Sequence, residues 1–123
     1  MKNLAAKGLK PSYHLLDIES ISSCKSFAEY LKTNYGGLDV LVNNAGIYSQ
    51  YDAPEPLSEQ AEACMRVNFW GTINVCDALL PLLRDGGRYV FISIKFSLGQ
   101  YTLRVVPNIF HCTLQSYQCV FKN

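Results

Sequence analysis

The segment Gly37-Leu-Asp-Val-Leu-Val-Asn-Asn-Ala-Gly46 places an apolar run directly before a group of small and amide-bearing residues. Because glycine precedes the run 38–43 and Asn44, Ala45 and Gly46 follow it, the pattern predicts a β-strand that is buried on both faces. In open parallel sheets, ligands bind beyond the carboxyl ends of the strands. Small residues at such a position let a flat ligand lie against the backbone. Residues 44–46 are therefore a candidate binding loop, and the alternative is an ordinary Asn/Gly turn.

The residues before this segment predict a strand followed by a helix. Residues 12–18 form a short apolar stretch that ends next to an acidic side chain, which is consistent with a strand. Residues 21–35 carry apolar side chains at the spacing of one helix face. Ser20 or Ser22 is suited to cap the start of this helix, and Gly36 is suited to end it.

The residues after it repeat the pattern. A helical region is predicted over 58–83, closed by Pro81 and by the pair Gly86-Gly87, and a third strand is predicted at 88–93. Gly71 lies inside the helical region, where glycine costs about 1 kcal/mol relative to alanine. That cost predicts close packing of the helix against a neighbour or a ligand. The order strand, helix, strand, helix, strand predicts an α/β chain with parallel strands.

Composition excludes several classes of protein. Of the 123 residues, 49% are apolar and 17% are charged, which argues against disorder. The net charge of +1 provides no basic field for nucleic acid. No apolar run approaches the ~20 residues that a membrane-spanning helix needs, so no membrane partner is predicted. Five cysteines without a Cys-x-x-Cys motif favour reduced thiols and a cytoplasmic location.

Charge is distributed unevenly along the chain. All ten acidic residues lie between Asp17 and Asp85, whereas residues 86–123 contain four basic residues and no acid. From Ile94 onward neither helical periodicity nor strand alternation is sustained. One interpretation is a β-rich C-terminal segment of unusual composition. The other is that residues 94–123 come from read-through into non-coding sequence or from a change of reading frame.

Three motifs in order and spacing identify a resemblance. They are Gly37-Leu-Asp-Val-Leu-Val-Asn-Asn-Ala-Gly46, Val67-Asn-Phe-Trp-Gly-Thr72 and Gly87-Arg-Tyr-Val-Phe-Ile-Ser93. Together they resemble the short-chain dehydrogenase/reductase family, and the flanking sequence is most similar to its NADPH-dependent carbonyl reductases. The resemblance covers residues 1–93. It implies a Rossmann-type doubly wound parallel sheet, NADP(H) as cofactor, and hydride transfer to a small-molecule ketone, aldehyde or quinone.

The resemblance also implies roles for individual residues. Asp17 and Ile18 would lie beside the adenine, with the carboxylate accepting a hydrogen bond from its amino group. Residues Asn44, Ala45 and Gly46 would line the cofactor, whereas Asn43 would tie neighbouring strands together. Asn68 matches a helix residue whose backbone carbonyl holds a water molecule of the proton relay. The alternatives are a helix-capping role for Asp17 and an ordinary helix-surface role for Asn68.

The chain departs from the family pattern at three places. The sequence contains no Thr-Gly-x-x-x-Gly-x-Gly turn, which cradles the cofactor pyrophosphate at a helix N-terminus. None of the eight tyrosines has a lysine four residues later, so the catalytic Tyr-x-x-x-Lys is missing. A Ser-Ser pair of the family is replaced by Ser93-Ile94, which removes the serine that polarises the carbonyl. His14 and His111 are the only histidines, and His111, Cys112 and Cys119 do not complete a zinc site, so no metal is predicted.

These departures define the expected organisation. The chain is expected to begin after the glycine-rich turn, just before the third strand of a sheet with the order 3-2-1-4-5-6-7. Residues 1–93 would be a partial NADP-binding Rossmann domain with family strands 3, 4 and 5, and 94–123 an irregular, divergent tail of which a few residues can extend the strand 88–93. The expected function is that of an inactive fragment of a carbonyl reductase-like oxidoreductase, and the missing turn argues against cofactor binding by this chain alone. The alternative is a non-catalytic truncated isoform that acts only through subunit association or is degraded.

Overall fold

The computed structural model describes residues 6–8, 10–49, 52–97 and 100–107 of the chain. Two helical regions alternate with the strands in this part of the molecule. The elements are helix α1 (Ile21–Tyr35), strand β1 (Leu38–Asn43), helix α2 (Leu57–Cys64), a π-helical segment (Met65–Gly71), helix α3 (Thr72–Leu79), a 3₁₀ turn (Leu80–Leu82), strand β2 (Leu83–Ser97) and strand β3 (Gln100–Pro107).

Helix α1 begins and ends where its flanking residues predict. The hydroxyl oxygen of Ser20 accepts a hydrogen bond from the Ser23 amide at 3.2 Å, which identifies Ser20 as the N-cap. Gly36 ends the helix in a left-handed conformation with φ +71°, which glycine adopts without steric cost. The buried face of the helix is centred on Cys24, which is fully enclosed.

Strands β1 and β2 are neighbours and run parallel, as predicted. Strands β1 and β2 pair with Leu41 opposite Tyr89 and Val42 opposite Val90. Leu38 pairs with Leu83, and the register shifts between Leu38 and Val40. This parallel pair, flanked by helices along the chain, confirms the α/β class.

The second helical region is continuous from Leu57 to Leu82, close to the predicted 58–83. It ends one residue after Pro81, whose ring cannot continue a helical hydrogen-bond ladder. The pair Gly86-Gly87, predicted to close the helix, instead lies inside β2, which begins at Leu83. That prediction is wrong because the helical region already ends at Leu82, directly after Pro81 and four residues before Gly86.

Helices α1 and α3 cover one face of the sheet. Leu41 of β1 and Tyr89 of β2 meet Cys24 of α1 and Val75 and Leu79 of α3 in one hydrophobic core. Leu79 is 1% exposed and is the largest side chain that is fully buried. The core therefore lies between the two helices and the face of the sheet that carries Leu41 and Tyr89.

The opposite face of β1 is open to solvent. Val40 and Val42 alternate with Leu41 along the strand, and they are 51% and 52% exposed. The prediction that this strand is buried on both faces is wrong for the described part of the chain. Its physical reason is that both described helices that join the core pack against the same side of the sheet.

The segment 12–18, predicted as a strand, is not a strand. Residues 10–17 carry no regular secondary structure, and Ile18 and Glu19 form a turn. Strand conformation is stabilised by a neighbouring strand that satisfies the backbone N–H and C=O groups. Within the described residues the sheet order is β1-β2-β3, so no strand lies beside the segment 12–18.

The C-terminal tail from residue 94 was predicted to be irregular, with a few residues extending the strand 88–93. That extension is observed over residues 94–97, whereas the prediction of irregular structure is wrong for residues 100–107. Strand β2 continues to Ser97, and β3 pairs with it antiparallel, from Val90 opposite Pro107 to Ser97 opposite Gln100. The physical reason is that β3 supplies partners for the backbone groups along the second edge of β2. Residues 108–123 lie outside the described part of the chain. No helix in the described ranges is long and apolar enough to cross a membrane.

Candidate functional site

The carboxyl end of β1 opens into a small pocket. Asn44 and Ala45 follow the strand directly and line one side of a pocket of about 180 Å³. Ile18 lines it from the turn before α1, and Thr72 lines it from the start of α3. The remaining lining residues are mostly apolar: Leu16, Phe27, Leu41, Val42, Asn43, Val75 and Leu79. The structure thus brings together Ile18, Asn44 and Ala45, three of the residues predicted to contact a cofactor.

Asn68 holds the loop that follows β1. Its side-chain amide donates to the backbone carbonyl of Ile47 at 2.8 Å, and its side-chain oxygen accepts from the Ile47 amide at 2.7 Å. A Cβ atom on Gly46 would lie 3.2 Å from that oxygen, so glycine lets the loop approach the helix this closely. Asn68 and residues 44–46 are therefore adjacent at one end of the sheet, as predicted.

The backbone carbonyl of Asn68 has a protein partner as well. It accepts a hydrogen bond from the hydroxyl of Thr72 at 2.8 Å. Asn68 lies in the π-helical segment, and such segments interrupt the regular backbone ladder of α-helices, frequently at functional sites. The side chain and the backbone carbonyl of Asn68 thus both take part in hydrogen bonds.

Asp17 organises the turn that precedes α1. One oxygen of its carboxylate accepts from the Glu19 amide at 3.0 Å, and its backbone carbonyl accepts from the Ser20 amide at 3.2 Å. Its own amide donates to the hydroxyl of Ser23 at 3.0 Å. Ser20, not Asp17, is the N-cap of α1. The exposed Asp17 carboxylate keeps an oxygen without a hydrogen bond in the described part of the chain.

The helical region contacts both the side chain and the backbone carbonyl of Ile18. Its side chain fills the space over Gly71, where a Cβ atom would come within 2.8 Å of the Ile18 Cδ1 atom. This contact explains the glycine inside the helix: the close neighbour is Ile18. Its backbone carbonyl accepts from the side-chain amide of Asn74 at 3.0 Å. Asn74 was not among the residues predicted from the sequence, although an amide side chain inside a helix signals a hydrogen-bond partner elsewhere.

Two further side-chain contacts connect the turn and the strand to the helical region. Glu19 and Arg66 form an ion pair at 2.7 Å, with both side chains substantially exposed. The side-chain amide of Asn43 contacts the Cys76 sulfur at 3.9 Å. Asn43 was expected to tie neighbouring strands together, and its observed contact instead joins β1 to α3, because that helix covers the strand end.

A buried thiol lies beneath the turn. Cys24 approaches the carbonyl oxygens of Asp17 and Ile18, at 3.7 and 3.9 Å. Burial raises the pKa of the Cys24 thiol, and the nearby carboxylate of Asp17 raises it further. The thiol therefore stays protonated at neutral pH and can donate weakly to both carbonyls.

The described residues contain no group of three or more His, Cys, Asp or Glu side chains that could hold a metal ion. His111, Cys112 and Cys119 lie outside the described part of the chain. At the position of the missing serine, the Ile94 backbone lies within β2, opposite Leu103 of β3.

The arrangement matches one end of a dinucleotide better than the whole. The free oxygen of the Asp17 carboxylate can accept from an amino group, and Ile18 and Ala45 offer apolar contact for a flat ring. The volume of about 180 Å³ is below the ~300–1,000 Å³ usual for pockets that hold a whole small-molecule ligand. Of the predicted cofactor-contacting residues, Ile18, Asn44 and Ala45 line this pocket, whereas Asp17 and Gly46 are not among its lining residues. The sequence has no glycine-rich turn for the phosphates of a cofactor.

Comparison with known proteins identifies relatives over most of the chain. The profile of the short chain dehydrogenase family matches residues 1–106. The NADPH-dependent carbonyl reductase 1 of Sus scrofa is 50% identical over 93 residues, which cover 76% of this chain and 32% of the relative. The human carbonyl reductase 1 is 47% identical over 98 residues, covering 80% of this chain and 35% of the relative. The chain thus spans about a third of the length of these relatives.

A solved structure shares the fold. A short-chain dehydrogenase of Escherichia coli CFT073, crystallised with NADPH, has a TM-score of 0.60 and 33% sequence identity. The match covers 71% of this chain and 38% of that enzyme. The related enzymes named here thus use or bind NADPH, and the fold they share with this chain is the one that the three sequence motifs predicted.

Proposed function

The chain belongs to the short-chain dehydrogenase family, and we propose that it carries the adenosine side of an NADP(H) site of the carbonyl reductase type. The observation that carries this proposal is the neighbourhood of Asn44 and Ala45 with Ile18 around one pocket at the carboxyl end of β1. Ligands of parallel sheets bind at this end. The proposed activity of a full-length relative is hydride transfer from NADPH to a ketone, aldehyde or quinone.

In this proposal each site residue has a distinct task. Asp17 accepts from the adenine amino group, while Ile18 and residues 44–46 contact the ring and the ribose. Asn68 keeps the loop in place through its two hydrogen bonds to Ile47, which are 2.7 and 2.8 Å long. We propose that its backbone carbonyl, which also accepts from the Thr72 hydroxyl, holds a water molecule of a proton relay, as the family resemblance implies. NADP(H), when bound, supplies the hydride.

We propose further that this chain alone does not reduce carbonyl compounds. Reduction needs a proton donor with a lowered pKa, a group that polarises the carbonyl, and a phosphate cradle that fixes the nicotinamide. The sequence has no Tyr-x-x-x-Lys and no glycine-rich turn, and Ile94 stands where the second serine is expected. General acid–base catalysis contributes about 10²–10⁴-fold, and correct positioning contributes more. The loss of both predicts no measurable turnover.

The proposed organisation assigns residues 1–93 to the nucleotide-binding part and 94–123 to a divergent tail of read-through or frame-changed origin; the family profile extends into this tail, to residue 106. The antiparallel pairing of β3 with β2 is compatible with this origin, because any segment able to form a strand can complete an open sheet edge. The proposed location is the cytoplasm, where cysteines such as Cys24, Cys64 and Cys76 stay reduced.

A second candidate function is that of a non-catalytic isoform that acts through subunit association. The observation that favours it is the open apolar face of β1, where Val40 and Val42 are about half exposed. Exposed apolar surface of this kind favours association with another protein surface.

The test of the proposed inactivity is an NADPH oxidation assay with the purified full chain, and the adenosine site itself is tested by the NADP⁺ titration described below. NADPH absorbance is followed with a quinone or an isatin-like ketone, and heat-denatured protein serves as the control. The expected result is no oxidation above the control. Sustained oxidation that requires folded protein and is lost in Asn68→Ala would contradict the proposed inactivity.

A further inference from the structure

We propose that Asn74 is a positioning residue for the nucleotide site, because it fixes the turn 17–19 at the distance from the loop 44–46 that an adenine ring requires. The inference rests on the proposed function, and it assigns a role to a residue that none of the family motifs discussed above contains. Asn74 itself does not line the pocket; it acts through the backbone of Ile18.

The contact of Asn74 is long-range and directional. Its side-chain amide donates to the Ile18 carbonyl at 3.0 Å, across 56 residues of sequence. Asparagine is a poor helix former because its side chain competes for nearby backbone groups. In α3 the Asn74 side chain is half-buried and turned away from its own helix backbone, so its place there is best explained by the turn that it reaches.

A second contact from the same helix face holds Ile18. Gly71 precedes Asn74 by three residues, and residues three apart lie on one side of a helix. The Ile18 side chain rests on Gly71, while the Ile18 carbonyl accepts from Asn74. Side chain and backbone of Ile18 are thus both held by one helical surface.

The other bonds of the turn do not fix its place relative to the loop. Asp17 bonds to Glu19, Ser20 and Ser23, and the Cys24 thiol approaches the carbonyls of Asp17 and Ile18; these contacts shape the turn and join it to α1. The Glu19–Arg66 ion pair does reach the π-helical segment, but both side chains are exposed, and such pairs contribute little. Within the described residues, the bond from the Asn74 side-chain amide to the Ile18 carbonyl is therefore the uncharged hydrogen bond that joins the turn to this helical region.

The same helical region holds the opposite side of the pocket. Asn68 bonds the loop through Ile47, six residues before Asn74 bonds the turn through Ile18. One rigid stretch of helix therefore carries both walls of the proposed adenine site. Removing the Asn74 donor should leave each wall intact and change the spacing between them.

The test compares NADP⁺ affinity across matched variants of the full chain. Asn74→Ala removes the side-chain donor, and Asn74→Asp keeps its size but cannot donate to a carbonyl. Asn34→Ala is the control, because Asn34 makes a comparable 2.8 Å bond to the Tyr30 carbonyl within α1, away from the pocket. Dissociation constants are measured by NMR titration at a temperature where thermal unfolding curves show every variant folded.

The expected result is about a 2- to 10-fold weaker affinity for both Asn74 variants and an unchanged affinity for Asn34→Ala, as expected for one lost hydrogen bond. The backbone carbonyl ¹³C resonance of Ile18 should shift in the Asn74 variants even without nucleotide. A merely structural role would lower thermal stability without changing affinity among folded proteins.

The outcomes separate the inference from the function on which it rests. If wild-type protein binds NADP⁺ and the Asn74 variants bind equally well, the positioning role is wrong and the proposed function stands. If wild-type protein binds no NADP⁺ while the Ile18 carbonyl resonance shifts as expected, the proposed function fails and the positioning role fails with it.

Discussion

The segment 12–18 and strand β1 have similar apolar sequences and different structures. Each precedes a loop that contributes to the pocket, yet only β1 is a strand. The difference is the neighbour: β1 pairs in parallel with β2 and buries Leu41 under two helices, whereas no described strand lies beside the segment 12–18. Strand formation in this chain is therefore decided by a partner and not by the local sequence alone.

Side chains take the place of strand pairing in the segment 12–18. The Tyr35 hydroxyl donates to the Ser12 hydroxyl at 3.1 Å, and the His14 ring lies 4.4 Å from the ring of Tyr30. Ile18 is bound to the helical region by Asn74 and Gly71. These contacts leave Tyr13 and Leu15 more than two-thirds exposed, while Leu16 and Ile18 pack against the edge of the core.

The largest effect on stability is expected in the core beneath β1. Leu79 lies beneath the strand and is 1% exposed. Leu79→Ala should lower the free energy of unfolding by about 2–5 kcal/mol, because a cavity remains. Urea unfolding measures the change. Leu57→Ala is the matched control: this leucine is 82% exposed, and its loss should change stability by no more than about 0.5 kcal/mol. Similar losses for the two variants would place the core elsewhere.

An intermediate effect is expected where the turn meets the helix. Gly71→Ala should cost about 1–3 kcal/mol, because the new methyl group would lie 2.8 Å from the Ile18 side chain. The same change made in an Ile18→Ala background should be neutral or stabilising by up to about 1 kcal/mol, since alanine is the better helix former. Denaturant unfolding of the four proteins gives the coupling between the two sites. Equal costs in both backgrounds would mean that Ile18 does not rest on Gly71.

The smallest effect is expected from an ion pair at the start of β1. Asp39 and Arg84 approach to 2.6 Å, but their side chains are 77% and 43% exposed. Asp39→Asn should therefore change the free energy of unfolding by less than about 1 kcal/mol, and 1 M salt should reduce the difference further. A loss of several kcal/mol that persists in high salt would show that this pair, and not the packing of Leu41 and Leu79, anchors the strand.

Local signals were sufficient for several elements. The Ser20 cap, the glycine that ends α1 and the apolar run of β1 follow from patterns within a few residues. The parallel pairing of β1 with β2 follows from the alternating order of strands and helices. The neighbourhood of Asn44 and Asn68 followed from the rule that places ligand loops at strand ends. These features depend on backbone conformation and on periodicity, which a single sequence displays directly.

The failures concern contacts between distant residues. Whether 12–18 becomes a strand depends on a neighbour, and whether β1 is covered on one face or two depends on where the helices pack. The pairing of β3 with β2 required knowledge of an open sheet edge. Asn74 was missed because its partner lies 56 residues away.

The central claim is that the turn at Asp17 and the loop at Asn44 form one adenine-binding site. An amide NMR spectrum of the full chain, recorded during titration with NADP⁺, tests it directly. We expect Asp17, Ile18 and residues 44–46 to shift together along one binding curve, while Val40 on the open face does not shift. No shifts, or shifts confined to the open face of β1, would contradict the claim.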